Sequence, residues 1–150
     1  MPVSTLDDRA AIRDVLVNYA LGLDRRDYDL VARCFATDAE CEYEGETLHG
    51  VAELLPYLRE RLDLLAATHH YISNETITVT GDTAIAECYA LAVLLRDTGT
   101  GVEALQRGLR YADELRRDGD RWVIITRRHL PQWMITSPAD RLDIGRNAQP

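Results

Sequence analysis

The four histidines are the first candidates for chemistry in this sequence, because imidazole gains and loses protons near neutral pH. His49 precedes a glycine and is predicted to be a solvated loop residue, whereas His129, near the end of a predicted strand, is predicted to lie at the surface or at a rim. His69 and His70 are neighbours in a predicted strand, so their side chains point to opposite faces and at most one enters a cavity. The two cannot chelate one metal ion from a regular strand. Since the sequence also has no CxxC, HxH or HExxH motif, we predict no metal site.

Asp24 differs from the other carboxylates because it directly follows the apolar run 19–23 at the end of a predicted helix. One interpretation is a capping or turn aspartate. The alternative is a buried carboxylate, which requires a partner because burying an unpaired charge is costly. Histidine is the natural partner, and such a pair would be a general base held in place by its carboxylate.

Tyrosine and arginine side chains are the other candidates for contact with a ligand. Four tyrosines fall within predicted elements and are either core aromatics or acids, namely Tyr19, Tyr43, Tyr89 and Tyr111. Arg127 and Arg128 are neighbours on the last predicted strand, so one of them faces inward. An inward arginine in an apolar cavity would hold an anion or an oxyanion.

Composition limits the classes of function that this chain can have. Its 150 residues, 46% of them apolar, suffice for one domain with a core. A formal charge of −8 and a pI of about 4.9 argue against nucleic-acid binding. All 17 basic residues are arginine, and the absence of lysine excludes Schiff-base chemistry, pyridoxal-phosphate attachment and a Walker motif.

The cellular compartment can also be predicted from the sequence. No export signal is visible, and no apolar run approaches the roughly 18 residues that a membrane span requires. Three cysteines lie among apolar residues, which favours buried reduced thiols at Cys34, Cys41 and Cys88. We therefore predict a soluble, cytoplasmic protein without membrane contact.

Apolar periodicity predicts three helices in the first half of the chain. The first carries an apolar stripe from Ile12 to Leu23, and Asp27 is placed to cap a second, short helix that extends through Phe35. A third helix follows Gly50, and two small strands at 39–43 and 46–49 precede it.

From Thr68 onward the apolar pattern has a period of two, which is typical of strands. The predicted strands are 68–80, 83–96, 104–115 and 121–130. Helices followed by long hairpin-connected strands indicate an α+β domain, with a curved sheet around the helices and a cavity at its open end. We place this domain at residues 1–135. Residues 136–150 form a loosely held tail, since the chain beyond Pro131 is polar and rich in turn residues.

Five stretches occur in an order and at spacings that one known group shares. They are YALGLDRRD at 19–27, FATDA at 35–39, HG at 49–50, HYISN at 70–74 and the region 111–127. Together they resemble the SnoaL-like branch of the nuclear transport factor 2-like superfamily, which holds scytalone dehydratase, lindane dehydrochlorinase and bile-acid 7α-dehydratase. The resemblance implies an α+β fold in which a cone-shaped, curved sheet wraps around three N-terminal helices and encloses an apolar pocket.

The resemblance also implies a catalytic group. Asp24 matches the aspartate that orients the family's catalytic histidine. His70 matches that histidine, because the family's asparagine four residues later falls at Asn74. Tyr19, five residues before the aspartate, matches an active-site tyrosine of the bile-acid enzyme. Asp24, His70 and Tyr19 are therefore expected to be catalytic, and Asn74 to bind substrate.

Two further positions match substrate-binding residues of the branch, and three depart from it. Tyr43 matches a water-holding tyrosine of scytalone dehydratase, and Arg127 matches a pocket arginine of some dehydrochlorinases. Leu23 replaces a tyrosine of scytalone dehydratase, and Gly108-Leu109 occupies the region of that enzyme's second histidine. Cys41 stands where the dehydrochlorinase has a tryptophan.

The resemblance implies a cofactor-independent lyase that eliminates water from a small apolar substrate, either cyclic, polyketide-like or steroid-like. The enzyme would form a homodimer or homotrimer. Two alternatives remain open, because this superfold hosts many functions. One is a cyclase or isomerase that uses the same base, and the other is a domain that binds a small molecule or a partner subunit without turnover.

Overall fold

The computed structural model describes residues 5–140 and places the helices before the long strands. The helices are α1 (Thr5–Arg25), α2 (Tyr28–Arg33) and α3 (Val51–Leu62). The strands are β1 (Phe35–Tyr43), β2 (Glu46–His49), β3 (Ala67–Thr80), β4 (Thr83–Asp97), β5 (Val102–Asp118) and β6 (Arg121–Ala139). The predicted α+β class and order of elements are confirmed. Asp27 caps α2 as expected, since its Oδ1 accepts the Leu30 N–H at 2.9 Å.

The strands form one curved sheet in the order β2-β1-β6-β5-β4-β3. β1 runs parallel to β6, whereas the other neighbours are antiparallel. Within residues 5–140 the outermost strands, β2 and β3, do not pair with each other, so the sheet stays open. The three helices pack against this sheet, with α1 lying along β3.

The core forms where the apolar stripe of α1 meets the inner face of the sheet. Ile12, Leu16, Tyr19 and Leu23 are all buried. The facing side of β4 carries small side chains at alternate positions, which are Ala84, Ala86, Cys88, Ala90 and Ala92. Small residues let the helix approach the sheet and leave space for a cavity at one end.

The first turn of α1 is fixed to the sheet through the buried carboxylate of Asp8. Arg117 Nη2 donates to Asp8 Oδ1 at 2.7 Å, and the Trp122 indole N–H donates to the same oxygen at 3.0 Å. These hydrogen bonds hold the pKa of Asp8 below its usual value. The β5–β6 hairpin therefore holds the N-terminal end of α1, and Asp24 lies at the other end of the same helix.

Two boundaries differ from the prediction by four residues or more. Phe35 begins β1 instead of extending α2, because the Cys34 carbonyl accepts the Ile124 N–H of β6 at 2.9 Å and the chain enters the sheet there. β6 continues to Ala139 instead of ending at residue 130, because β5 pairs with it as far as the Val102–Ala139 partners. Residues 136–139 of the predicted tail are therefore strand. The remainder, 141–150, lies outside the described residues, and the domain boundary stays a prediction.

The outer face of the sheet carries exposed apolar side chains, including Tyr71, Trp133 and Ile135. The homodimer or homotrimer stays a prediction.

Among residues 5–140, no helix is both long and apolar enough to cross a membrane. The three cysteines are free and buried, in agreement with the sequence.

Candidate active site

Asp24 and His70 lie in direct contact, at the junction of the α1 C-terminus and β3. His70 Nδ1 is 2.6 Å from Asp24 Oδ1, and the His70 backbone N–H donates to Asp24 Oδ2 at 2.8 Å. One carboxylate thus binds both the ring and the strand that carries it. The ring is held in one orientation, with Nδ1 occupied and Nε2 left for another partner.

The carboxylate of Asp24 is itself held by a short chain of hydrogen bonds. Thr68 Oγ1 donates to Asp24 Oδ1 at 3.0 Å, and Arg26 Nη1 donates to Thr68 Oγ1 at 2.9 Å. Burial alone raises the pKa of Asp24, but the hydrogen bonds from the His70 ring, the His70 backbone and Thr68 outweigh it. The pKa of Asp24 therefore lies below its usual value, and the group is a carboxylate at neutral pH.

His70 faces an internal cavity, whereas the side chain of His69 is exposed on the other face of β3. This confirms that the two histidines point to opposite sides of the strand. The His70 side chain is only 7% exposed, and the Asp24 side chain is 20% exposed. The pair is thus shielded from bulk water, which strengthens the interaction between an imidazolium and a carboxylate.

The cavity beside His70 has a volume of about 280 Å³ and is mainly apolar. Its apolar walls are Leu23, Leu58, Leu62, Leu65, Ala92, Leu94 and Leu109. Its aromatic and imidazole lining consists of Tyr19, Tyr43, Tyr57, Tyr111, His70 and His129. Three charged residues, which we call the mouth of the cavity, complete the lining: Glu44, Arg61 and Arg107.

Tyr19 and Tyr43 form a pair in the cavity wall, with their hydroxyl oxygens 2.8 Å apart. Both side chains are buried, and burial raises the pKa of each phenol well above its usual value. Both therefore stay protonated at neutral pH. Since one hydroxyl donates to the other, the second has a proton to donate to a ligand.

Arg127 faces inward, as one of the two neighbouring arginines must, but it does not line the cavity as the resemblance implied. Its guanidinium donates two hydrogen bonds to Asp113, Nε to Oδ1 at 2.8 Å and Nη2 to Oδ2 at 2.6 Å. The cation lies 4.1 Å from the ring centre of Tyr19 and 4.2 Å from that of Tyr111. Arg127 therefore supports the tyrosine wall from behind, and its role in substrate binding stays a prediction.

Asn74 is also outside the cavity lining, and its substrate-binding role stays a prediction. It lies where the pairing of β3 with β4 shifts between Ser73 and Thr76, and its φ is +52°. The side chain is exposed. Asparagine tolerates this left-handed conformation better than most residues do, which is a structural reason for an asparagine at this β-bulge.

His129, for which a surface or rim position is predicted, is half-buried, and its ring forms part of the cavity wall. The ring stacks on Tyr43, with centroids 5.1 Å apart and an angle of 18° between the planes. Burial and the nearby Arg107 lower the pKa of His129 to about 4, although Glu44 opposes the shift. Strand alternation could have indicated this position. Residues two apart on a strand share a face, so an inward Arg127 implies an inward His129.

The charges at the mouth are paired across its rim. Arg107 binds Glu44 from the β1–β2 turn, and this hydrogen bond lowers the pKa of Glu44. Arg61 binds Glu46 at 3.2 Å and lies over the Tyr57 ring, 3.5 Å from its centre. Each arginine of the mouth therefore has an acidic partner, Glu44 for Arg107 and Glu46 for Arg61.

Comparison with known proteins places this geometry in context. The chain matches the model of the SnoaL-like domain over residues 4–128. An uncharacterised protein of Mycobacterium tuberculosis is 30% identical over 133 residues, covering 85% of this chain and 87% of that protein.

Solved structures show the same fold at lower identity. A hexachlorocyclohexane dehydrochlorinase from Novosphingobium barchaimii has a TM-score of 0.77 at 21% identity, covering 91% of this chain and 93% of that chain. A candidate scytalone dehydratase from Novosphingobium aromaticivorans has a TM-score of 0.74 at 21% identity, covering 91% of each chain. These matches confirm the resemblance and the fold that the sequence predicted.

Proposed function

This chain belongs to the SnoaL-like family, and we propose that it is a cofactor-independent lyase acting on a small apolar ring compound. The observation that supports this most is the Asp24–His70 contact of 2.6 Å beside an apolar cavity. Structural neighbours named as a dehydrochlorinase and a candidate dehydratase have the same fold, and both names refer to eliminations.

In the proposed reaction, His70 Nε2 accepts a proton from a substrate carbon. The electron pair of the broken C–H bond forms a carbon–carbon double bond, while the bond from the adjacent carbon to its hydroxyl oxygen breaks. The proton on His70 is then passed to the departing hydroxide, which leaves as water. The carboxylate of Asp24 stabilises the imidazolium formed in the first step and fixes its orientation.

The hydroxyl pair of Tyr19 and Tyr43 supports the same reaction from another part of the wall. Their protonated phenols can donate a hydrogen bond to the substrate oxygen that gains negative charge. Donors already fixed by packing need no reorganisation during the reaction. The Arg127 guanidinium, neutralised by Asp113, packs behind Tyr19 and holds its ring in place.

The cavity size favours a small substrate. A volume of about 280 Å³ is near the lower end of the range of about 300–1,000 Å³ for ligand pockets. Substrates with one or two fused rings fit such a volume. We therefore favour the small cyclic and polyketide-like classes over the steroid-like class.

The test is turnover of two compounds taken from the names of the structural neighbours, scytalone and hexachlorocyclohexane. Loss of water is followed by mass spectrometry and release of chloride by ion chromatography. Asp24→Asn and His70→Gln are each expected to lower kcat by about 10²–10⁴-fold, because a general base contributes that much. The matched control is His69→Gln, which alters the neighbouring histidine on the exposed face of β3 and should retain wild-type activity.

Other outcomes would decide against elimination. Wild-type rates in Asp24→Asn or His70→Gln would contradict the proposed base. A product with the same mass as the substrate would indicate an isomerase or cyclase using that base. Tight binding without product across a wider set of ring ketones would indicate a binding domain.

A further inference from the structure

His129 has no part in the mechanism proposed above, although it lines the same cavity as His70. It lies on β6 directly opposite Tyr111 of β5. Directly opposed residues share one face of a sheet, and Tyr111 faces the cavity. The backbone register of β5 and β6 therefore directs the imidazole inward.

The His129 ring is held by stacking and not by hydrogen bonds to the protein. Tyr43 lies parallel to it, and the Tyr111 ring centre is 5.7 Å from it at an angle of 54°. Among the described residues, no group is in hydrogen-bonding position for its buried Nδ1. Because that nitrogen is enclosed, a ligand in the cavity cannot reach it. The other ring nitrogen, Nε2, is neither enclosed nor hydrogen-bonded among the described residues, so it is the atom of this cavity-lining ring that remains for a partner from outside the chain.

The charge state of His129 limits what that partner is. With a pKa lowered to about 4 by burial and by Arg107, the ring is neutral at pH 7. A neutral imidazole has one N–H donor and one acceptor nitrogen. It can donate to a carbonyl oxygen without bringing a second positive charge into a cavity where His70 becomes an imidazolium.

We propose that His129 binds the carbonyl oxygen of the substrate as a neutral hydrogen-bond donor, in the same cavity as the Asp24–His70 base. This deepens the proposed function, because a carbonyl beside the C–H bond acidifies the proton that His70 removes. Oxygen binding itself requires only the cavity and the imidazole. It can therefore be tested without turnover.

The experiment compares two ligands that share a skeleton, the bicyclic ketone 1-tetralone and the hydrocarbon tetralin. Their dissociation constants are measured for the wild type, His129→Phe, His129→Gln and His69→Gln. Phenylalanine keeps a flat ring to stack on Tyr43, and glutamine restores a hydrogen-bonding group. We expect the ketone-to-hydrocarbon affinity ratio to fall about tenfold in His129→Phe, consistent with one lost hydrogen bond. The ratio should recover in part in His129→Gln and stay unchanged in His69→Gln, which alters an exposed histidine outside the cavity.

A spectroscopic measurement on the wild type supports the same conclusion without a variant. Adding 1-tetralone should shift a ring ¹⁵N resonance of His129, whereas tetralin should leave the ring nitrogens unchanged. An equal affinity ratio in the wild type and His129→Phe would overturn the proposal, and so would failure of the wild type to bind the ketone. If His129→Phe does not fold, the ¹⁵N shift decides. Loss of the lyase activity alone would leave the ratio intact, so the two proposals fail separately.

Discussion

Two carboxylates in this molecule contact a basic side chain at the same distance of 2.6 Å, yet their surroundings differ. Asp113 and Arg127 are each 1% exposed, and the guanidinium is enclosed by the Tyr19 and Tyr111 rings. The Asp24–His70 pair borders the cavity and leaves His70 Nε2 without a protein partner among the described residues. A short contact therefore does not identify a functional pair. What distinguishes the two is whether an atom remains that a ligand can reach.

The largest effect that we expect from this comparison is on stability. Arg127→Met leaves the Asp113 carboxylate buried without its partner and should lower the free energy of unfolding by about 3–5 kcal/mol. Urea denaturation measures the change. The matched control is Arg128→Gln on the same strand, whose pair with Glu42 is more than half exposed and should cost less than about 0.5 kcal/mol. The comparison fails if both variants have wild-type stability.

A smaller effect is expected from the pH dependence of stability at Asp24. Its pKa is lower in the folded chain than in the unfolded chain, where it is about 3.9. The ionised carboxylate therefore stabilises the fold above that unfolded value, and this stabilisation is lost as the pH falls through the lower folded value.

The measurement is urea denaturation of the wild type and Asp24→Asn between about pH 6 and pH 3. We expect the wild type to be more stable by about 1–2 kcal/mol at pH 6, and the difference to shrink toward pH 3. Asp14→Asn, which removes an exposed carboxylate from the same helix, is the control. A difference between wild type and Asp24→Asn that does not change with pH would contradict this linkage.

The smallest effect concerns how the reactive pair is positioned. Thr68→Val keeps the shape of the side chain but removes the hydrogen bond from Thr68 Oγ1 to Asp24. A loss of about 3–10-fold in kcat with little change in KM is expected, since one neutral-to-charged hydrogen bond is removed at a distance from the substrate. Thr78→Val, at an exposed position of the same strand, should have no effect. Equal activity in both variants would show that Asp24 needs no support from Thr68.

Local sequence patterns narrowed the candidates for the reactive pair and the family resemblance identified it, whereas neither indicated the enclosed pair. The apolar run before Asp24 indicated a helix end facing the core, and strand alternation limited the adjacent histidines to one inward side chain. The pairing of Arg127 with Asp113 depends instead on the register of β5 against β6. That register shifts at Gly108/Leu109 and at Glu114/Leu115, and periodicity within one strand cannot locate such shifts.

The length of β6 could not be predicted for a related reason. Pro131 and Pro138 argue against a strand, because proline cannot donate a backbone hydrogen bond. Beyond Arg128, however, β6 pairs with β5 alone among the described strands, so it is an edge there and tolerates proline. Whether these residues form a strand depends on the position of β6 in the sheet, and that position is a property of the whole fold.

The hydrogen bonds of Asp24 to both the ring and the backbone amide of His70 have a practical consequence for engineering. Grafting only the two side chains onto another scaffold would reproduce a contact but not the attachment of a helix end to a strand. A transplant would have to carry the last turn of α1 together with the first residues of β3. Conversely, an insertion that displaced either segment by one residue would dismantle the base and loosen the helix in a single event.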